Sequence, residues 1–426
     1  MPALSYTLIK QDADPGSKAR LGRVETPHGG FDTPAFMPVG TAATVKGQLP
    51  TAVTAIGAQI ILANTYHLLL RPGPDLIADM GGLQHWTRWQ KPMLTDSGGY
   101  QVFSFADKNA INDDGVRFKS HLDGRSIHLS PERSIHTQNA LGADIIMAFD
   151  DCPPAPVTEG DPKTPRHAID SADYAQRLQH ANERTARWLE RCIKAHQRPE
   201  DQALFGIVQG GIDLEARSQS AQQITQHDLP GFAIGGVAVG EGYEQLKRVT
   251  SHTAPLLPEN KPRYLMGVGY ERDLVTAVRA GVDMFDCVLP TRNARNANAF
   301  TPTGQIRLRN AKYAKDPRPI DPTCDCPACL GPAYPTPDAP DLAASPTGGY
   351  ARSYLRHLFV AGEMLGPILL TLHNLRHFQR LMLDIRSAIR DNTWSAVAQN
   401  WPVTRDDNAG SPDQGPNDLQ EQDQDA

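Results

Sequence analysis

A chain of 426 residues, 40% hydrophobic and 21% charged, is long enough for one large core or two ordinary ones. It holds no run near the roughly 20 apolar residues that cross a bilayer, no secretory signal over residues 1–10, and too few cysteines, six, for a disulfide scaffold; a cytoplasmic protein is expected. The net charge of −6 is uneven, because 406–426 carry seven acids and no Lys or Arg, which leaves the remainder near +1 and any polyanion to be met by a local patch.

Residues 5–31 read as hairpin-like strands, broken by Pro15-Gly16 and by His28-Gly29-Gly30. Eight short apolar runs follow, at 35–39, 59–63, 92–95, 144–149, 203–208, 231–234, 263–266 and 282–285. They are continuous rather than alternating, as in strands buried on both faces of a parallel sheet. Helix-like stretches, 171–195 and 271–280 among them, lie between the runs. The expected fold is α/β, a (β/α)8 TIM barrel with N-terminal antiparallel strands; an open doubly wound sheet fits the same pattern. Residues 108–129, with turns at Asp113-Asp114-Gly115 and Asp123-Gly124, are expected to insert strands after the third barrel strand. The Pro-, Ala- and Gly-rich segment 330–350 reads as a surface loop. Residues 1–391 are expected to form a single domain, with a subdomain over about 310–391 in which the clustered Cys324, Cys326 and Cys329 point to zinc binding. An extension at 392–405 and an acidic, disordered tail at 406–426 follow.

Asn64, Asp96, Asp150, Gln209, Gly235, Gly267 and Asp286 each stand at or just past the end of an expected strand. A barrel carries its chemistry at the C-terminal mouth. One such acid would mean little, since Asp is common in turns; a ring of seven polar or glycine endings means more. In Thr95-Asp96-Ser97-Gly98-Gly99-Tyr100-Gln101 the glycines let the backbone approach a ligand, and Tyr100 offers a flat face to a base. A capped turn with a buried tyrosine is the plainer alternative. Asp286 follows Met284-Phe285, and Cys287 beside it reads as packing. A structural salt bridge would also account for Asp286 taken alone. Together Asp96 and Asp286 are candidates for the carboxylate pair of retaining glycosyl transfer, where one attacks the anomeric carbon and the other moves a proton.

Phe149-Asp150-Asp151-Cys152 adds an acid pair, and a carboxylate can accept two donors from the edge of a guanine. Gln209, in Gly206-Ile207-Val208-Gln209-Gly210-Gly211, can address the carbonyl side, and Gly235-Gly236-Val237-Ala238-Val239-Gly240 offers backbone amides. Close strand–helix packing explains such glycine pairs equally well. Residues 287–315 carry Arg292, Arg295, Arg307, Arg309, Lys312 and Lys315 with no acid, which makes either a phosphate-contacting surface or a solvated basic face. Cys324-x-Cys326-x-x-Cys329 lets three thiolates reach one ion, and His357 or His373 can close a structural tetrahedron; Asp325 is not expected to ligate.

These segments together resemble the tRNA-guanine transglycosylase (queuine tRNA-ribosyltransferase) family over about residues 4–391, and its bacterial branch in particular. The resemblance implies exchange of guanine at the first anticodon position of G-U-N tRNAs for 7-aminomethyl-7-deazaguanine, a step of queuosine biosynthesis. It implies double displacement through a covalent aspartyl-ribosyl intermediate, with no redox or nucleotide cofactor because the ester conserves the glycosyl bond energy. Asp286 is then the nucleophile, Asp96 the general acid/base and Tyr100 the stacking residue. Asp150, Gln209 and the Gly236 amide read the base, Met266 and Gly267 form the far wall, and Arg292 and Arg295 contact the anticodon. The family's zinc histidine lies in a His-Asn pair, here His373-Asn374, so Cys324, Cys326, Cys329 and His373 would hold one structural Zn2+ per subunit. A homodimer is implied, one subunit catalysing while the other helps to hold tRNA. Cys152 and Val239 match positions that accept the aminomethyl base, and Val239 should exclude the bulkier queuine. Val237, where a leucine is expected, and Asn293-Ala294, where a Ser-Gly pair is expected, depart from the family pattern.

Two other classes compete. A non-catalytic tRNA-binding subunit would have lost the catalytic acids, which this chain keeps. A barrel glycosidase acting on sugars has no need of the basic run or of Gln209.

Overall fold

The computed structural model describes residues 2–100, 111–153, 171–237, 241–331 and 349–405. The expectations for Gln101, Val239, the greater part of the 330–350 loop and the 406–426 tail lie outside these residues. The chain opens with β1 (Ser5–Gln11), β2 (Arg20–Thr26) and β3 (Gly29–Thr33), paired as an antiparallel sheet. Then come β4 (Ala35–Gly40), β5 (Ile61–Ala63) and β6 (Met93–Thr95). A separate antiparallel sheet follows, of β7 (Ile111–Asn112), β8 (Gly115–Lys119) and β9 (Ser126–Leu129), as the 108–129 segment led one to expect. The series continues with β10 (Ile145–Met147), β11 (Ala203–Val208), β12 (Gly231–Ile234), β13 (Arg263–Leu265) and β14 (Met284–Cys287).

Strands β4–β6 and β10–β14 are parallel neighbours in sequence order, and β14 pairs back onto β4. This closes a (β/α)8 barrel and removes the open-sheet alternative. Side chains alternate along each strand. Met37, Leu62, Leu94, Met147, Phe205, Ile207, Ala233 and Met284 fill the interior, while Phe36, Ile146, Leu204, Val208, Phe232 and Phe285 pack under the helices. The run expected at 282–285 begins two residues later as a strand. Its first acid, Asp283, has another task, and Asp286 falls inside the strand, in register with Met37.

The N-terminal sheet covers the bottom of the barrel, adding Val24 and Phe31 to the interior cluster. It is pinned by buried charge. Asp283 is fully enclosed and accepts from Tyr6 Oη (3.3 Å), Arg20 Nε (3.2 Å) and the Arg263 amide (2.7 Å), with Arg20 Nη2 closing the ion pair. Arg20 also donates to the carbonyls of Glu259 and Lys261.

The return helix after β14 is displaced by an insertion. A short helix (Leu289–Arg295), the hairpin β15 (Asn298–Thr301) and β16 (Gly304–Arg307), and the cysteine segment precede the long helix Leu365–Asp391. That helix packs Phe378 on Phe36 at 4.8 Å and donates from Gln379 to the Phe36 carbonyl. It therefore serves as the eighth barrel helix as well as part of the cysteine-rich region. Residues 392–405 fold back on it: Trp401 is buried, with Nε1 2.8 Å from Asp384 Oδ2. None of the described helices is long and apolar enough to cross a membrane.

Removing the cation from a buried ion pair leaves an uncompensated carboxylate, which typically costs about 3–5 kcal/mol. Arg20→Met should therefore lower unfolding free energy by roughly that amount in urea titration; a loss below about 1 kcal/mol, as for a surface pair, would refute the pinning role.

Candidate active site and metal centre

Asp96 lies one residue past β6, half-buried at the barrel mouth. Its carboxylate accepts from Asn64 Nδ2 (2.5 Å), the Thr65 amide (2.8 Å) and the Gly98 amide (3.1 Å). Asn64 also caps the helix Thr65–Leu70 through Oδ1 to the His67 amide, so one side chain orders the helix start and the acid together. Across the mouth, Asp286 Oδ1 accepts from Tyr264 Oη (2.6 Å) and the Gly267 amide (2.8 Å). Gly267 has φ +75°, a left-handed conformation that turns its N–H toward this carboxylate and that few other residues adopt.

The acids feel one another. Burial pushes Asp96 up to about 7 despite its amide donors, and the charges of Asp286 and Asp150 push the same way. Asp150, also buried, is raised to about 6. Burial likewise raises Asp286, opposed by its bonds to Tyr264 and Gly267. Carboxylates raised in this way can serve as acid or base near neutral pH.

Asp150 and Asp151 part company. Asp150 accepts from Gln209 Nε2 (2.6 Å) and Ser97 Oγ (3.4 Å) inside the mouth. Asp151 turns away into ion pairs with Arg177 and Arg184. Gln209 Oε1 is buried with no partner, a carbonyl left to receive a donor. It lies beside Gly236, whose φ of +62° and position let no Cβ fit: an added methyl would come 2.4 Å from Gln209 Oε1 and 3.4 Å from Cys152 Sγ. Asp150, Gln209, Gly236 and Cys152 thus form one contiguous lining. Met266 packs against the barrel interior next to Gly267, and Tyr100 stands exposed just after Gly98-Gly99. Val237 is buried in the outer core.

Arg292 and Arg295 project from the short helix that begins three residues after Asp286, and both are partly exposed. Asn293 and Ala294 are buried, Ala294 in the same cluster as the cysteines, so the departure at these positions faces the subdomain. Cys324, Cys326, Cys329 and His373 are buried with ligand atoms within 4.8 Å of one another, the spread of a single tetrahedral site. Three thiols and an imidazole fit zinc, and four protein ligands make the site structural. His373 Nδ1 faces Cys326 and Cys329 (3.6 and 3.3 Å), while Nε2 donates to the Phe300 carbonyl at 2.8 Å, fixing the ring for ligation through Nδ1. His357 is exposed and outside this group, and Asp325 is paired with Arg376. Asn374 donates to the carbonyls of Pro290 and Asn298 and accepts from the Phe300 amide. The residue after the metal histidine therefore holds the basic helix.

Two side chains that shape the site escaped sequence reading. Tyr264, whose hydroxyl reaches Asp286, was not singled out. Arg217, fully buried, donates to the carbonyls of Val208, Gly211, Gly235 and Gly236 and so shapes the Gly235-Gly236 turn. Nothing in a helical Leu-Glu-Ala-Arg run announces that.

A closed (β/α)8 barrel with enclosed carboxylates at its C-terminal mouth and a Cys3His centre beside a basic helix defines a barrel protein with a candidate acid–base site and a structural metal centre. A family model described as queuine tRNA-ribosyltransferase matches residues 14–406. A queuine tRNA-ribosyltransferase of Halalkalibacterium halodurans is 50% identical over 392 residues, 92% of this chain and 94% of its own length. One from Herpetosiphon aurantiacus is 51% identical over 401 residues, 94% of this chain and 92% of its own. The chain belongs to the queuine tRNA-ribosyltransferase family, the tRNA-guanine transglycosylases.

Two outcomes follow from the geometry. Cys326→Ser should lower zinc content and melting temperature together, because metal binding and folding are linked; full zinc occupancy in the variant would contradict the ligand set. A carboxylate whose folded pKa is raised favours folding below its unfolded pKa and loses that contribution as pH rises through the folded value, about 7 for Asp96. Asp96→Asn should therefore raise the melting temperature more at pH ~8 than at pH ~5. Equal shifts at both would show that Asp96 is not held against ionisation.

Proposed function

We propose that this enzyme exchanges guanine at the first anticodon position of G-U-N tRNAs for 7-aminomethyl-7-deazaguanine by double displacement. The observation that carries the reading is the pair of coupled carboxylates, Asp96 and Asp286, at one mouth beside a ready-made base lining. Asp286, kept ionised by Tyr264 and Gly267, attacks C1′ of the ribose. The C1′–N9 bond breaks, its electron pair leaves with guanine, and Asp96 supplies the proton. A ribosyl ester on Asp286 remains. The incoming base then attacks C1′, gives its N9 proton to Asp96 and returns the electron pair to the Asp286 carboxylate.

Asp150 accepts the donors on the Watson–Crick edge, the Gly236 amide and Gln209 address the rest of the purine, and Met266 with Gly267 bounds the far side. Tyr100 stacks on the base. Gln209 Oε1, buried without a partner, is a natural acceptor for a base N–H. Cys152 flanks the position where the 7-substituent would project. Arg292 and Arg295 contact anticodon phosphates from a helix that starts beside the attacking acid. Zinc acts structurally, holding the segment that positions this helix. A homodimer, one subunit catalysing and the other helping to hold tRNA, completes the proposal.

The chain keeps both carboxylates with their donors in place, which favours this reading over a non-catalytic subunit. Asp286→Asn should abolish the denaturation-resistant tRNA adduct and lower guanine exchange by several orders of magnitude; an undiminished adduct would remove Asp286 as nucleophile. Base release needs protonated Asp96, so single-turnover adduct formation should fall as pH rises through about 7. A rate that keeps rising between roughly pH 6 and pH 9 would assign the proton to another group.

A further inference from the structure

Resting on the proposed role of Asp286, we infer that Tyr264 is a positioning residue that makes Oδ2 of Asp286 the attacking atom and eases departure of the carboxylate in the second displacement. The geometry is asymmetric. Tyr264 Oη and the Gly267 amide both converge on Oδ1, at 2.6 and 2.8 Å, and neither bonds Oδ2. A carboxylate oxygen that accepts two hydrogen bonds has its charge spoken for, so the other is the better nucleophile. Tyr264 comes from β13, one strand away, with its ring in the packed barrel interior at 1% exposure. Its hydroxyl cannot swing aside without moving the core.

The same two donors act differently in the two halves of the reaction. When Oδ2 bonds C1′, the carboxylate charge is lost and Oδ1 becomes the carbonyl oxygen of the ester. When the incoming base attacks C1′, the C1′–Oδ2 bond breaks and its electron pair returns to the carboxylate. Negative charge then develops on Oδ1 directly opposite two fixed donors, the arrangement of an oxyanion hole serving a leaving group. Removing one donor should therefore make Asp286 more basic, hence no worse an attacker once ionised, but a poorer leaving group. Tyr264 keeps its proton throughout, since burial and the Asp286 charge raise its phenol well above the usual tyrosine value.

The charged and titratable groups bearing on Asp286 and its tyrosine are few. Asp96 faces them from the end of β6, with Asp150 beyond it after β10, and Cys287 is adjacent on β14 with Arg292 acting on it from the following helix. Burial opposes ionisation of Asp286, and Tyr264 with Gly267 counters it. Loss of the phenol should thus also move the acid limb of adduct formation to higher pH.

The test is Tyr264→Phe in the full-length zinc-loaded enzyme, with adduct formation on tRNA and adduct discharge by free guanine timed separately. At about pH 8.5, above the acid limb, formation should stay within about threefold of the parent while discharge slows by roughly tenfold or more. The adduct should accumulate at steady state, kcat should fall, and KM for tRNA should fall with it, leaving kcat/KM for tRNA within about threefold of the parent. Equal slowing of both halves, or an acid limb that does not move, would mean that the ring only packs and would overturn the inference. If Tyr264→Phe does not fold, 3-fluorotyrosine at position 264 preserves size and strengthens donation. It should speed discharge and deplete the adduct, and an unchanged discharge rate would overturn the inference. Absence of any adduct in the parent enzyme would instead sink the nucleophile reading beneath it, an outcome distinct from a normal adduct whose discharge ignores Tyr264.

Discussion

Three carboxylates enclosed in one barrel mouth cannot all carry charge comfortably, and the arrangement around them follows from that constraint. Burial alone would protonate them; their donors decide which stays ionised. Asp96 receives backbone amides from Thr65 and Gly98, Asp150 receives Gln209, and Asp286 receives Tyr264 and Gly267. The donors come from each acid's own loop or from the neighbouring strand, so pairing of adjacent barrel strands is what satisfies these acids. A fold that merely placed the same acids on one open sheet edge would let water equalise them.

Closure is secured at the opposite end and from outside. The N-terminal sheet ties Arg20 and Tyr6 to Asp283, three residues before Asp286 on the chain. On the outside, the helix Leu365–Asp391 packs against β4 through Phe378 and Gln379 while presenting His373 to the cysteines. Asn374, next along, grips the carbonyls of Pro290 and Asn298. A metal ion at Cys324, Cys326, Cys329 and His373 thereby bears on where Arg292 and Arg295 stand, without approaching the chemistry. In the proposed exchange this divides the labour: the barrel holds the base and ribose, and the zinc-bearing insertion holds the RNA-facing helix.

Much of this was legible in the residues. Continuous apolar runs gave all eight barrel strands, because strands covered on both faces leave a dense hydrophobic signature. The Cys-x-Cys-x-x-Cys spacing gave three ligands, since thiolates so close in sequence have few other uses. Choosing between His357 and His373 took the His-Asn pair, and the structure shows why that pair matters: one residue binds the metal site and the next holds the basic helix. What spacing could not give was partnership across the barrel. Tyr264 reads as one more β-forming aromatic until β13 is set beside β14, and Arg217 as an ordinary helical cation until its four carbonyl acceptors converge. Asp150 and Asp151 look equivalent in sequence, yet the loop after β10 sends one to Gln209 in the mouth and the other to Arg177 and Arg184.

The most direct test of the central claim, that opposed carboxylates serve one nucleoside with distinct roles, is to locate the ester. Trapping the enzyme–tRNA adduct, digesting both components and mapping the ribosylated peptide by mass spectrometry identifies the bonded residue. The modification should fall on Asp286, with Asp96 unmodified. A ribosyl group on Asp96 would reverse the assignment, and one on Asp150 would show that the base lining had been misread.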